Sequence, residues 1–155
     1  MNLKAITTTL LAAASLLLVN TVRAADSSAL TQPAKSVFEN YFKIQVELAK
    51  DSIKGVDEEA SAIAKAVTGD EKKMLSPEVA KQAETLAKAK DLSAARDAFK
   101  PLSTSLIKYL AVNKVQNPYY EVFCPMEKAS WLQTKKNVTN PYMGKAMLHC
   151  GEIKN

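Results

Sequence analysis

The chain has 155 residues, with 21 basic and 16 acidic side chains for a formal net charge of +5, and 47% of its residues are hydrophobic. That length supports one domain with its own core, which needs no disulfide merely to fold. Basic and acidic residues alternate without a dense basic block, so the charge does not point to nucleic acid.

The first predicted element is a secretory signal peptide over residues 1–24. Met1 to Lys4 is a short basic start. Ala5 to Val19 is apolar apart from Thr7, Thr8, Thr9 and Ser15, and Val22-Arg23-Ala24 supplies the small residues of a cleavage site after Ala24. The apolar run is too short and too rich in threonine to span a membrane. No cysteine follows it that could carry a lipid. The expectation is a periplasmic protein, soluble, monomeric and not membrane-spanning once the signal is removed. Without Lys4 and Arg23 the balance is 19 basic to 16 acidic residues, ordinary for a soluble domain.

Residues 25–113 read as a helical scaffold. Val37, Tyr41, Ile44 and Leu48 fall on one helical face, with Phe38 and Phe42 widening it. Val56, Ala60, Ile63 and Val67 repeat the spacing, and Gly69 is placed to end that helix. Residues 70–75 form a charged connection. Ser76-Pro77 then suits a helix start, because serine caps free amides and proline fits the first turn. Val79, Ala83 and Leu86 mark the third helix. Asp91 caps a fourth, whose stripe is Leu92, Ala95, Phe99, Leu102, Leu106 and Tyr109. Pro101 lies inside it and predicts a kink at Asp97. Arg96 is expected to be a solvated or capping charge.

The fold class expected is all-α: an antiparallel four-helix bundle with a short irregular C-terminal lobe over residues 114–155, one domain overall. In that lobe Asn117-Pro118 signals a turn, and Tyr119 to Phe123 suits a short extended segment. Lys145 to His149 fits one helical turn or a strand. Trp131, Leu132 and the tyrosines are expected to pack the lobe on the bundle.

The lobe also holds both cysteines, the only histidine and three of the five methionines. Two readings compete there. In an exported domain two cysteines commonly pair with each other. A Cys124–Cys150 disulfide would close a loop of about 25 residues and stabilise the fold by roughly 3 kcal/mol. On the residues alone this is the stronger reading. The other is a soft-metal site, since thiolate and thioether sulfurs favour Cu(I) over hard cations. Its ligands would be Cys124, Met126, Met147 and Cys150, with Met143 and His149 as further candidates. Met143, Met147 and Cys150 are spaced so that one helical turn would bring their sulfurs to one side. An enzyme has little support: one histidine, no serine-centred nucleophile motif and no distinct carboxylate pair.

The order Cys124-Pro125-Met126, Trp131-Leu132, Asn140-Pro141-Tyr142-x-Gly144-x-x-Met147-x-x-Cys150-Gly151 resembles an uncharacterised periplasmic domain family. Arg96-x-x-Phe99-x-x-Leu102-Ser103 fits the same pattern. That family occurs as exported single-domain proteins and as a domain appended to CusB-type heavy-metal efflux adaptors. The resemblance implies a helical domain tied to the handling of copper or another heavy metal, with an efflux adaptor or other envelope protein as partner. It moves the balance from the disulfide towards a bound soft metal.

Overall fold

A computed structural model describes residues 30–116 and 119–154. The signal peptide and the Asn117-Pro118 turn lie outside the described residues. Four helices come first: α1 (Ala34–Ala49), α2 (Val56–Thr68), α3 (Pro77–Ala87) and α4 (Leu92–Val112). The strands β1 (Tyr120–Cys124), β2 (Ala129–Gln133) and β3 (Glu152–Ile153) follow, with a 3-10 helix at Gly144–Met147 between the last two.

The helical stripes become the core. Val37, Phe38, Tyr41, Ile44 and Leu48 of α1 are fully buried, as are Ala95, Phe99, Leu102 and Leu106 of α4. Removing each large side chain of this kind from water contributes roughly 1.5–3 kcal/mol. The expected caps form: Ser76 accepts from the Glu78 amide at 3.3 Å, and Asp91 from the Ala94 amide at 2.9 Å. Gly69 follows the end of α2 and donates to Lys65 O. Helix α4 runs on through Pro101. Helix contacts are mainly sequential, α1 on α2, α2 on α3 and α3 on α4, whereas α1 and α4 share a smaller boundary.

The charged connection after α2 is more ordered than its composition suggests. Asp70 is buried, and its carboxylate accepts the amides of Lys72, Met74 and Leu75. It thereby holds Leu75 in the core.

The C-terminal lobe is more regular than expected, and the extended segment expected at Tyr119 to Phe123 is the strand β1. Its strands form an antiparallel sheet in the order β2-β1-β3, so the fold is mostly helical with a small sheet. β1 and β2 are a hairpin whose turn spans Pro125 to Lys128, with Lys128 in the left-handed region. Trp131 and Leu132 of β2 are both buried, Leu132 beside Ile107 and Leu110 of α4 and Trp131 against Tyr142 and Gly151. Gln133 makes the following turn self-supporting. Its amide donates to Lys135 O and Asn137 O, and its carbonyl accepts from Trp131 Nε1 and the Thr139 amide. Gln45 of α1 ties that turn to the helices by donating to Thr139 O at 2.7 Å.

Candidate functional site

The sheet decides where the cysteines meet. Val122 pairs with Ile153 and Phe123 with Glu152, so the end of β1 lies beside the chain that enters β3. Cys124 is the last residue of β1, and its Sγ stands 3.6 Å from Cys150 Sγ. Cys124 is fully buried, Cys150 is half-buried, and both are free thiols here. The neighbouring Cys124 thiol, then desolvation, pushes the Cys150 thiol above its ordinary pKa. A thiol held that way stays protonated at neutral pH until a metal or an oxidant removes the proton.

The other candidate ligands sit around this pair in different states. Met126 is in the hairpin turn just after Cys124, and its side chain is 60% exposed. Met147 ends the 3-10 helix, is 40% exposed, and accepts the Cys150 amide through its carbonyl. Met143 is half-buried and packs on the core. Cys150 lies beyond the 3-10 helix, after a turn, so the three sulfurs do not share one helical turn. His149 is exposed, and its Nδ1 lies 2.8 Å from Val138 O. A carbonyl only accepts, so Nδ1 carries the hydrogen and the neutral ring keeps its lone pair on Nε2. That arrangement is common for metal-binding histidines. Among the described residues no three His, Cys, Asp or Glu side chains gather into a metal-binding group.

Much of what surrounds the thiols is a frame, and the motif residues build it. Arg96 is not a solvated charge. Its side chain is only 18% exposed, its Nε donates to Pro141 O at 2.8 Å, and Nη2 donates to Leu48 O at 3.0 Å. The same nitrogen reaches Asp51 Oδ1 at 2.6 Å. One guanidinium thus caps the end of α1, pairs with the loop after it and holds the C-terminal lobe. The Arg96 guanidinium also holds the Asp51 carboxyl below its ordinary pKa, and Asp51 Oδ2 accepts the Lys145 amide at 3.2 Å.

Two glycines are required by close approach. A Cβ on Gly144, at φ +56°, would collide with Asp51 Oδ1 and Arg96 Nη2. A Cβ on Gly151 would come within 2.7 Å of Trp131 Cη2 and 2.8 Å of Val122 Cγ1. Tyr142 is buried with its ring edge-on to Trp131 and its hydroxyl donating to Ser130 O at 2.8 Å. Across the lobe, Lys100 of α4 pairs with Glu127 in the hairpin turn at 3.0 Å. Arg96, Asp51 and Lys100 carry this attachment. Only the spacing of Arg96 from Phe99 marked any of them in the sequence.

A family model described as "Protein of unknown function (DUF3347)" matches residues 37–117, just over half of the chain. The match covers most of α1 and all of α2 to α4, together with Tyr41, Asp51, Arg96, Phe99 and Ser103. It stops before β1 and the cysteines. No curated protein and no solved structure matches the chain.

Proposed function

The chain belongs to the DUF3347 family of proteins of unknown function, and from that premise we propose that it is an exported protein that binds a soft metal ion, Cu(I) first, through Cys124 and Cys150. The observation that carries this reading is the 3.6 Å separation of the two sulfurs. Two thiolates bound to one ion at about 2.3 Å stand roughly 3.75 Å apart at the tetrahedral angle. A disulfide needs about 2.05 Å. The two sulfurs touch, so a shared ion needs them to shift only slightly, and so does a disulfide. Met126 and Met147 are the nearest soft ligands in sequence, and His149 offers its free Nε2 from the position next to Cys150.

Further parts of the reading rest on the sequence. The signal-like residues 1–24 support export to the periplasm, and the short helix connections support an antiparallel bundle. The tail motifs resemble those on CusB-type adaptors, which supports buffering of the ion or its delivery to an efflux system. No described helix is long and apolar enough to cross a membrane.

A second reading is an interaction module without metal, stapled by a Cys124–Cys150 disulfide and docking on an envelope or efflux assembly. It is favoured by the structural roles of Arg96, Tyr142 and Gly144, which account for these motif residues without a ligand.

Elemental analysis of the protein, purified with and without reductant and alongside a free-thiol count, separates the two. The metal reading expects stoichiometric copper only where both thiols are free. The second reading expects no free thiols without reductant and no copper under either condition. Met126→Leu and Met147→Leu keep side-chain volume while removing the thioether. In the metal reading they weaken copper retention and leave melting unchanged.

A further inference from the structure

Cys150 is held in place by a side chain that touches no sulfur. Asn140 is fully buried, and its Nδ2 donates to the Cys150 carbonyl at 2.6 Å. Its backbone amide donates to Leu148 O at 2.8 Å. Its Oδ1 accepts the amides of Tyr142 at 2.8 Å and Met143 at 3.0 Å. One residue thus clips both ends of the loop that runs from Asn140 to Cys150. The middle of that loop is bolted to the helices where Arg96 holds Pro141 O and Asp51 holds the Lys145 amide. On the far side, Gly151 lies against Trp131, and Ile153 pairs with Val122. Cys150 is therefore fixed from both directions while Cys124 is fixed by β1.

We infer that Asn140 is the positioning residue of the thiol pair: its bond to the Cys150 carbonyl, backed by the Arg96–Asp51 latch, sets how readily Cys124 and Cys150 close into a disulfide. The inference rests on the reading that these two cysteines act together. Closing the bond takes one proton and one electron from each thiol. The two electrons reduce a small-molecule disulfide, such as oxidised glutathione, to its two thiols. Two sulfurs held in contact have a high effective concentration for each other. Freeing Cys150 lowers that concentration and makes the disulfide easier to reduce.

The test uses the chain from Ala25 to its end, kept metal-free with a chelator. It is equilibrated in glutathione buffers of graded ratio, quenched in acid, alkylated and weighed. Asn140→Asp keeps the shape and the two accepted amides but has no hydrogen to give the Cys150 carbonyl. Asp51→Asn loosens the latch at a residue with φ 61°, a conformation asparagine tolerates well. Ile63→Val, in the buried face of α2, is the control for general loss of stability. At half-oxidation, the ratio of squared glutathione to its disulfide should fall at least about threefold in Asn140→Asp, fall in Asp51→Asn, and stay put in Ile63→Val. Coincident midpoints, a shift in the opposite direction, or an equal shift in Ile63→Val would overturn the inference. If Asn140→Asp does not fold, an unmoved midpoint in Asp51→Asn overturns it alone. A wild type with no midpoint at all would instead mean that the cysteines do not work as a pair, and the inference falls with that reading.

Discussion

The phenol oxygen of Tyr41, in the first helix, accepts the buried amide of Leu132, in the second strand, at 3.0 Å. The same oxygen shares a 2.9 Å hydrogen bond with Ser103 of α4, and the ring stacks on Phe99 at 4.8 Å. One atom joins two helices and the sheet. Burial pushes the phenol pKa far up, so the group stays neutral and keeps its hydrogen to donate. The lobe that carries the cysteines is thereby part of the same core as the helices, not an appendage to them.

Tyr41→Phe tests this junction. It keeps the ring and removes the oxygen, leaving the Leu132 amide without its acceptor in a dry interior. The expected loss is about 1–3 kcal/mol in urea unfolding. A midpoint equal to that of wild type would show that water reaches this amide.

Gly144→Ala tests the latch by steric means. The new methyl group would fall on Asp51 and Arg96, in a backbone conformation that costs a non-glycine residue about 1–3 kcal/mol by itself. Lower stability is expected, with faster amide hydrogen exchange at Met143 and Lys145. Unchanged exchange there would mean the loop is not held by this contact.

The Asp51–Arg96 pair carries a pH signature. Arg96 holds the Asp51 carboxyl below its ordinary value of 3.8. A depressed folded-state pKa gives stability that is complete above the ordinary carboxylate range and is lost as pH falls through the folded value. Wild type should therefore melt higher than Asp51→Asn at about pH 7, with the gap closing as the pH falls below the ordinary value. A gap that persists in strong acid would show that the charge is not what stabilises the loop.

The helices were legible because each is local. A three/four stripe such as Val37, Tyr41, Ile44 and Leu48 states which face is buried, and Ser76 and Asp91 announce two of the starts. The lobe was harder. Its strands are short, β3 having two residues, and its order comes from pairs far apart in the chain: Gln45 with Thr139, Arg96 with Pro141, Tyr41 with Leu132. Arg96 read as a solvated or capping charge, and it does cap the end of α1, but helical spacing shows which face a residue is on and not that the lobe's carbonyls wait there too. Asn140, Gly144 and Gly151 stood out as a motif. Whether a motif holds a ligand or holds the chain depends on distances that spacing does not contain. The cysteines were visible as a pair, but the β1–β3 register that brings them together was not.

The central claim is that the reduced Cys124–Cys150 pair holds a soft metal ion. The most direct measurement is competition for Cu(I) between the reduced protein and a colorimetric chelator, for wild type and Cys150→Ser. Wild type should retain Cu(I) at chelator concentrations that strip Cys150→Ser, and oxidising the pair to a disulfide should abolish the difference. If wild type and Cys150→Ser give up the ion at the same chelator concentration, the two sulfurs are not a metal site.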